Sequence, residues 1–196
     1  MFARAALVTV LASVSLVGAA ACDEPARGAE SETASTFTQR DIFGALRAIH
    51  AAEVEPSMLA QTKATDPRVK AFAESVVTDH ERRIEKEEQL MRDLRIKAKD
   101  NRVSSWIKSV AARRVARLDS LSGSEFDSAY IEEQILYHRS ILDTFDKDLI
   151  PNAHSDQVKA GIAEARERES DHLKEVEALS ATAGGGGATG AADARR

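Results

Sequence analysis

The chain has 196 residues, 43% of them hydrophobic and 30% charged, with four prolines and a formal net charge of −5. That composition can bury one packed domain and sits far from the disordered and membrane-spanning classes. A single cysteine excludes an internal disulfide framework and any multi-thiolate zinc or iron–sulfur centre, and the negative balance speaks against nucleic acid as a partner.

Residues 1–21 carry one positive charge at Arg4, an apolar run from Ala5 to Val17 and then small residues, the pattern of a secretory signal peptide. The run is shorter than the roughly 20 residues a membrane-spanning helix needs. Cys22 follows Ala19-Ala20-Ala21, which resembles a bacterial lipobox, whose cysteine becomes lipidated; ordinary signal peptidase could cut the same bond and leave a free thiol. The expectation is an exported protein of the bacterial periplasm, anchored to a membrane by lipid at Cys22. Residues 22–37 are polar and read as a flexible tether.

From Thr38 the pattern is helical throughout, with no alternating β-branched run. A first helix is predicted from about Thr38 to Ala64. Asp66-Pro67 supplies an N-cap and first-turn proline for a second, reaching about Lys99. A shorter basic helix, Ser104 to Leu118, puts Ile107, Ala111, Val115 and Leu118 on one face. Leu121-Ser122-Gly123 breaks the chain before a third long helix, Ser124 to Leu149, that stops near Pro151. Ser155 or Asp156 caps a fourth reaching about Leu179. Residues 38–181 thus read as an all-α, four-helix bundle with a short extra helix in the crossover between helices 2 and 3, and residues 182–196 as a disordered Gly/Ala-rich tail. Residues 82–117 carry twelve Lys/Arg against five Asp/Glu, and residues 124–178 six against fourteen. The basic part could touch anionic lipid, or simply complement the acidic half.

Projection at about 100° per residue shows which polar side chains fall inside the apolar stripes, where an ionisable group requires a partner. His80 lies among Val69, Ala73, Val76 and Ile84; His138 among Ile131, Ile135, Ile141 and Phe145; His172 with Val158, Ala165 and Val176. On the first helix Glu55 lines up with Ala48, Ala51, Ala52 and Leu59, whereas Glu53 points the opposite way and His50 lies off that stripe. Glu55, His80, His138 and His172 are therefore the candidate ligands of one transition-metal ion, zinc, iron or manganese, with Glu87, Gln134 and Glu169 placed to orient them or complete the coordination. The alternative is a set of satisfied core histidines that fixes helix register and binds no metal. Pro56 beside Glu55 removes a backbone hydrogen bond and is expected to kink the first helix.

Three runs, Val69 to His80, Leu121 to His138 and Glu169 to Leu179, resemble the bacterial family called domain of unknown function 4142 over about residues 38–180. The motifs that carry the resemblance are an inward Glu at Glu55, Asp79-His80, Phe126-Asp127 with Tyr130 and His138, and His172-Leu173. The resemblance implies a ferritin-like fold and an exported location, and no reaction. Ferritin-like di-iron enzymes use two Glu-x-x-His motifs and two further carboxylates. Glu169-x-x-His172 matches, but the second helix reads Val77-x-x-His80 and the third presents His138, so an oxygen-activating di-iron centre is not expected.

No Ser/His/Asp order, phosphate loop or nucleotide fingerprint is present. The reading leans away from an enzyme, toward an envelope protein that handles metal or serves in envelope stress. Its alternative is a structural or interaction module with no metal. Apolar surface left over would support a homodimer or an envelope protein partner.

Overall fold

A computed structural model describes residues 37–184. The predicted leader, Cys22, the tether up to residue 36 and the chain after 184 lie outside the described residues. Within them the protein is all-helical, with no strand: α1 (Gln39–Lys63), α2 (Pro67–Leu94), α3 (Arg102–Asp119), α4 (Gly123–Thr144) and α5 (Asp156–Gly184). None of these helices is long and apolar enough to cross a membrane.

The helix starts follow the caps written in the sequence. Thr38 and Asp41 form a capping box on α1, Asp66 accepts from the Arg68 backbone ahead of Pro67 on α2, and Asn101 and Ser104 form a second box on α3. The ends depart from expectation in three places, one of them α5, which continues to Gly184, beyond the expected end near Leu179 and into the first residues of the expected tail. α2 stops at Leu94 rather than near Lys99, because Arg95 turns left-handed (φ 53°) and the Ile96 N–H returns to the Met91 carbonyl at 2.9 Å. The freed segment crosses α1, where the Lys99 N–H donates to the Arg40 carbonyl at 2.9 Å. A Cβ on Gly44 would lie 1.9 Å from the Lys99 carbonyl oxygen, so only glycine permits this approach. After α4 the chain winds a π-helical turn, Phe145–Leu149, and a 3-10 turn, Ile150–Asn152, instead of continuing as α-helix. Pro151 has no N–H to carry on the ladder, and the wider turn leaves both Phe145 and Leu149 fully buried.

Two apolar cores stand at opposite ends of the fold. One gathers Ile42, Phe43, Leu46 and Ile49 of α1, Leu90 and Leu94 of α2, Ile141 of α4, and Val158 and Ile162 of α5. The other gathers Ala60 of α1, Val69, Phe72 and Val76 of α2, Phe126, Tyr130 and Ile131 of α4, and Val176 of α5. α1 and α5 therefore run from the first core to the second, and α2 and α4 run back. α3 packs on α1 and carries the chain from Ile107 in the first core to Leu118 at the second, so that α4 starts beside the α1–α2 turn. Asp127 clamps that turn, accepting from the Thr65 and Asp66 backbone N–H groups at 2.9 and 2.8 Å. The basic and acidic halves of the sequence meet as ion pairs between helices, Arg117 with Glu133 and Lys86 with Glu164 among them.

A candidate metal centre between the two cores

Midway along α1, α2, α4 and α5, between the cores, each helix places one histidine in a buried polar layer: His50, His80, His138 and His172. The ring centroids of His50 and His80 are 5.1 Å apart, of His80 and His172 5.4 Å, and of His138 and His172 5.6 Å. Three carboxylates lie among them, Glu53 of α1, Glu87 of α2 and Glu169 of α5, none more than 6% exposed.

The hydrogen bonds around the layer decide which nitrogen of each ring is free. His138 Nδ1 donates to the Gln134 carbonyl at 2.7 Å, so its Nε2 faces Glu169 Oε2 at 3.6 Å and Glu53 Oε2 at 3.8 Å without a hydrogen-bond partner. His172 Nε2 donates to Asp79 Oδ2 at 3.1 Å, which leaves Nδ1 unpartnered inside the layer. Glu169 Oε2 and Glu53 Oε2 are also buried without partners. Four acceptor atoms with nothing to accept from is a costly arrangement for metal-free protein and a fitting one for a cation. One donor atom from each of His138, Glu169 and His172 lies within 4.8 Å of the others.

Electrostatics agree. Burial holds the His80 imidazole well below its usual range and lowers that of His138, so both rings are neutral ligand forms. Burial pushes the Glu169 carboxyl well above the ordinary carboxylate range, and the charges of Glu53 and Glu87 push it further. A cation would supply the missing counter-charge.

One cation is already built in. Arg114 of α3 is 4% exposed; its guanidinium reaches Glu53 Oε1 at 3.3 Å and Gln134 Oε1 at 3.1 Å, and stacks 4.1 Å from the Tyr137 ring centroid. It also donates to the Ala52 carbonyl at 3.0 Å. Pro56 explains that last bond, because a proline at position 56 cannot donate to residue 52, and the carbonyl left over is taken by Arg114. α1 remains helical from Gln39 through Pro56 to Lys63.

Of the residues marked from sequence, His80, His138 and His172 come together, and Glu87, Gln134 and Glu169 are buried beside them. Glu55 does not join them. It is exposed and lines an open surface groove with Met58, Leu59 and Ile84, while Glu53 and His50, three residues apart on the inner face, take the place assigned to it. Alanines occur all round α1 and blur its stripe; its large apolar residues, Ile42, Leu46 and Ile49, align with His50, Glu53, Ser57 and Ala60 instead. Arg114, which the periodicity of α3 places among solvated charges, is the second miss, and Val115 is only half-buried. Tyr130 of the Phe-Asp-x-x-Tyr run bonds Ser57 and Gln134, each at 2.9 Å, and braces the layer rather than entering it.

No curated protein and no solved structure matches the chain. The family model described as Domain of unknown function (DUF4142) matches residues 24–179, which span both cores and the polar layer, and the chain belongs to that family.

Proposed function

We propose that this protein is an exported, envelope-associated bundle of ferritin-like architecture that holds one transition-metal ion, zinc, iron or manganese, through His138, His172 and Glu169, with Glu53 alongside. The observation that carries the reading is that each of these residues has a buried acceptor atom without a hydrogen-bond partner, in a layer where donor atoms of His138, His172 and Glu169 lie within 4.8 Å of one another and Glu53 Oε2 3.8 Å from His138 Nε2. Imidazole and carboxylate donors suit these ions, and the bonds from His138 to Gln134 and from His172 to Asp79 orient the rings as ligands. The ferritin-like assignment is supported by the order of the helices, two down-and-back pairs joined by one long crossover that contains α3. The envelope location and the lipid anchor at Cys22 rest on the leader-like sequence of residues 1–21. Metal handling or a part in envelope stress is the role such a site would serve.

The test is metal content by mass spectrometry on the full chain, purified without a histidine tag or chelator. At least one equivalent of zinc, iron or manganese is expected, and His138→Gln combined with His172→Gln should abolish binding at this triad. A metal-free protein whose melting temperature ignores all three added ions would refute the reading, since a ligand that binds only the native state must stabilise it. One observation favours the structural alternative. His50 bonds both Glu87 and His80, at 3.0 and 2.9 Å, so both of its ring nitrogens are satisfied without an ion.

A further inference from the structure

We infer that the layer holds a second divalent transition-metal ion, taken by His50, His80 and Glu169 with Glu87 alongside, so that Glu169 is a carboxylate shared between two cations. This rests on the one-ion reading above and extends it. A donor atom from each of His50, His80 and Glu169 lies within 4.8 Å of the others, the same closeness as in the first triad, and Glu169 belongs to both.

The two oxygens of Glu169 look in different directions. Oε2 stands 3.6 Å from His138 Nε2 in the first triad, and Oε1 stands 3.9 Å from His80 Nε2 in the second. Two donors bound to one tetrahedral ion at about 2.1 Å lie about 3.4 Å apart, so both pairs are slightly wider than a bound ion would hold them. The second triad carries its own unpartnered atoms. His80 Nε2 has no hydrogen-bond partner although His80 is 2% exposed, and neither has Glu87 Oε2, on a residue 6% exposed. Each triad is thus two imidazoles and one oxygen of Glu169, with Glu53 Oε2 3.8 Å from His138 Nε2 on one side and Glu87 holding His50 Nε2 at 3.0 Å on the other. The charges of Glu53 and Glu87 both bear on Glu169, as they would on a residue lying between them. Imidazoles in equal number on both sides suit the same borderline ions.

The His50–His80 hydrogen bond at 2.9 Å, which favours the structural alternative, is compatible with this site in a specific way. That bond joins the two Nδ1 atoms and leaves His80 Nε2 free to face Glu169 Oε1, and His50 becomes a ligand by exchanging one of its two hydrogen bonds for the ion.

The test is titration of the metal-stripped full chain with zinc by calorimetry, with Mn²⁺ electron paramagnetic resonance as an independent readout. Two ions per wild-type chain are expected, one per chain for His50→Gln and for His138→Gln, and none for Glu169→Gln at comparable affinity. In Mn²⁺ the six-line signal of an isolated ion should fade as the second equivalent enters, because a shared carboxylate couples the two spins; this needs no variant to fold. A single wild-type ion that survives His50→Gln and is lost in His138→Gln overturns the second site and leaves the one-ion reading standing. A single ion with the opposite sensitivity overturns the shared-carboxylate inference and relocates the site. No ion at all overturns both readings.

Discussion

Glu169→Gln separates a ligand from a structural residue by the sign of its effect. The substitution keeps the shape of a side chain that is 1% exposed and removes its charge. In metal-free protein near neutral pH the wild-type carboxyl is disfavoured in either form: Oε2 lacks a partner, and burial with the charges of Glu53 and Glu87 penalises the ionised group or makes the folded protein take up a proton the unfolded chain does not hold. An unsatisfied buried polar atom costs about 1–3 kcal/mol. The glutamine amide ends the repulsion and offers an N–H to Glu53 Oε2, which also lacks a partner. We therefore expect the metal-free variant to be more stable than wild type by about 1–2 kcal/mol, a rise in Tm of about 2–8 °C for a domain of this size. Zinc should reverse the order. At a free concentration of about 100 Kd a single site adds about 2.7 kcal/mol to the wild type, and nothing to a variant that does not bind. Scanning calorimetry with and without metal reads both effects. A metal-free variant melting below the wild type would refute the reasoning, because Glu169 would then be making net favourable bonds in the empty layer.

Three further outcomes follow from the same geometry. Arg114→Met should cost about 3–5 kcal/mol in urea unfolding, because Glu53 loses its buried counter-charge and the Ala52 carbonyl, which Pro56 cannot serve, loses the guanidinium; a loss under about 1 kcal/mol would show that water replaces the guanidinium. Gly44→Ala should destabilise by at least about 1–3 kcal/mol through the clash with the Lys99 carbonyl, and the same measurement with no change would mean that the 96–101 segment moves freely off α1. For pH, His80 and His138 are held neutral below their ordinary 6.5, so the unfolded chain binds more protons and stability falls as pH drops below about 6.5. Each contributes up to about 1.4 kcal/mol per pH unit. Glu169, raised above 4.5, works oppositely: its contribution is present at low pH and lost as pH rises through its raised value. Between 4.5 and the raised value of Glu169 it opposes the histidines, so Glu169→Gln should steepen the fall of stability toward low pH in that range. An unchanged slope in denaturant titrations across this range would contradict the assignment.

Helix number, the Asp66 cap and the inner faces of α2, α4 and α5 were legible, the last because long apolar residues mark those stripes, so His80, His138 and His172 could be picked out against Val76, Ile141 and Val176. α1 resisted because alanine is nearly as compatible with the surface as with the interior, and a stripe drawn through Ala48, Ala51 and Ala52 points the wrong way by enough to exchange Glu55 for Glu53 and to lose His50. Periodicity also gives only an angle about the helix axis. The height at which four histidines meet depends on where each helix begins relative to the others, and that is set by contacts far apart in sequence, such as Asp127 on the Thr65–Asp66 turn. Arg114 was illegible for a different reason: its partner is a carbonyl that Pro56 releases on another helix, and no local pattern in α3 announces it.

The division of the interior into two cores has a consequence for cooperativity. Neither core is built from a continuous stretch of chain: the first takes the start of α1, the end of α2, the end of α4 and the start of α5, and the second takes the complementary halves. Closing either one therefore closes the same long loops as closing both, and the entropic cost of that closure is met once. No fragment contains a finished core, so the molecule has no half that can fold ahead of the other. The polar layer at its waist is then not a seam along which the protein comes apart but a level that every folding trajectory must complete, and the chain should unfold in one step despite having two centres of apolar packing.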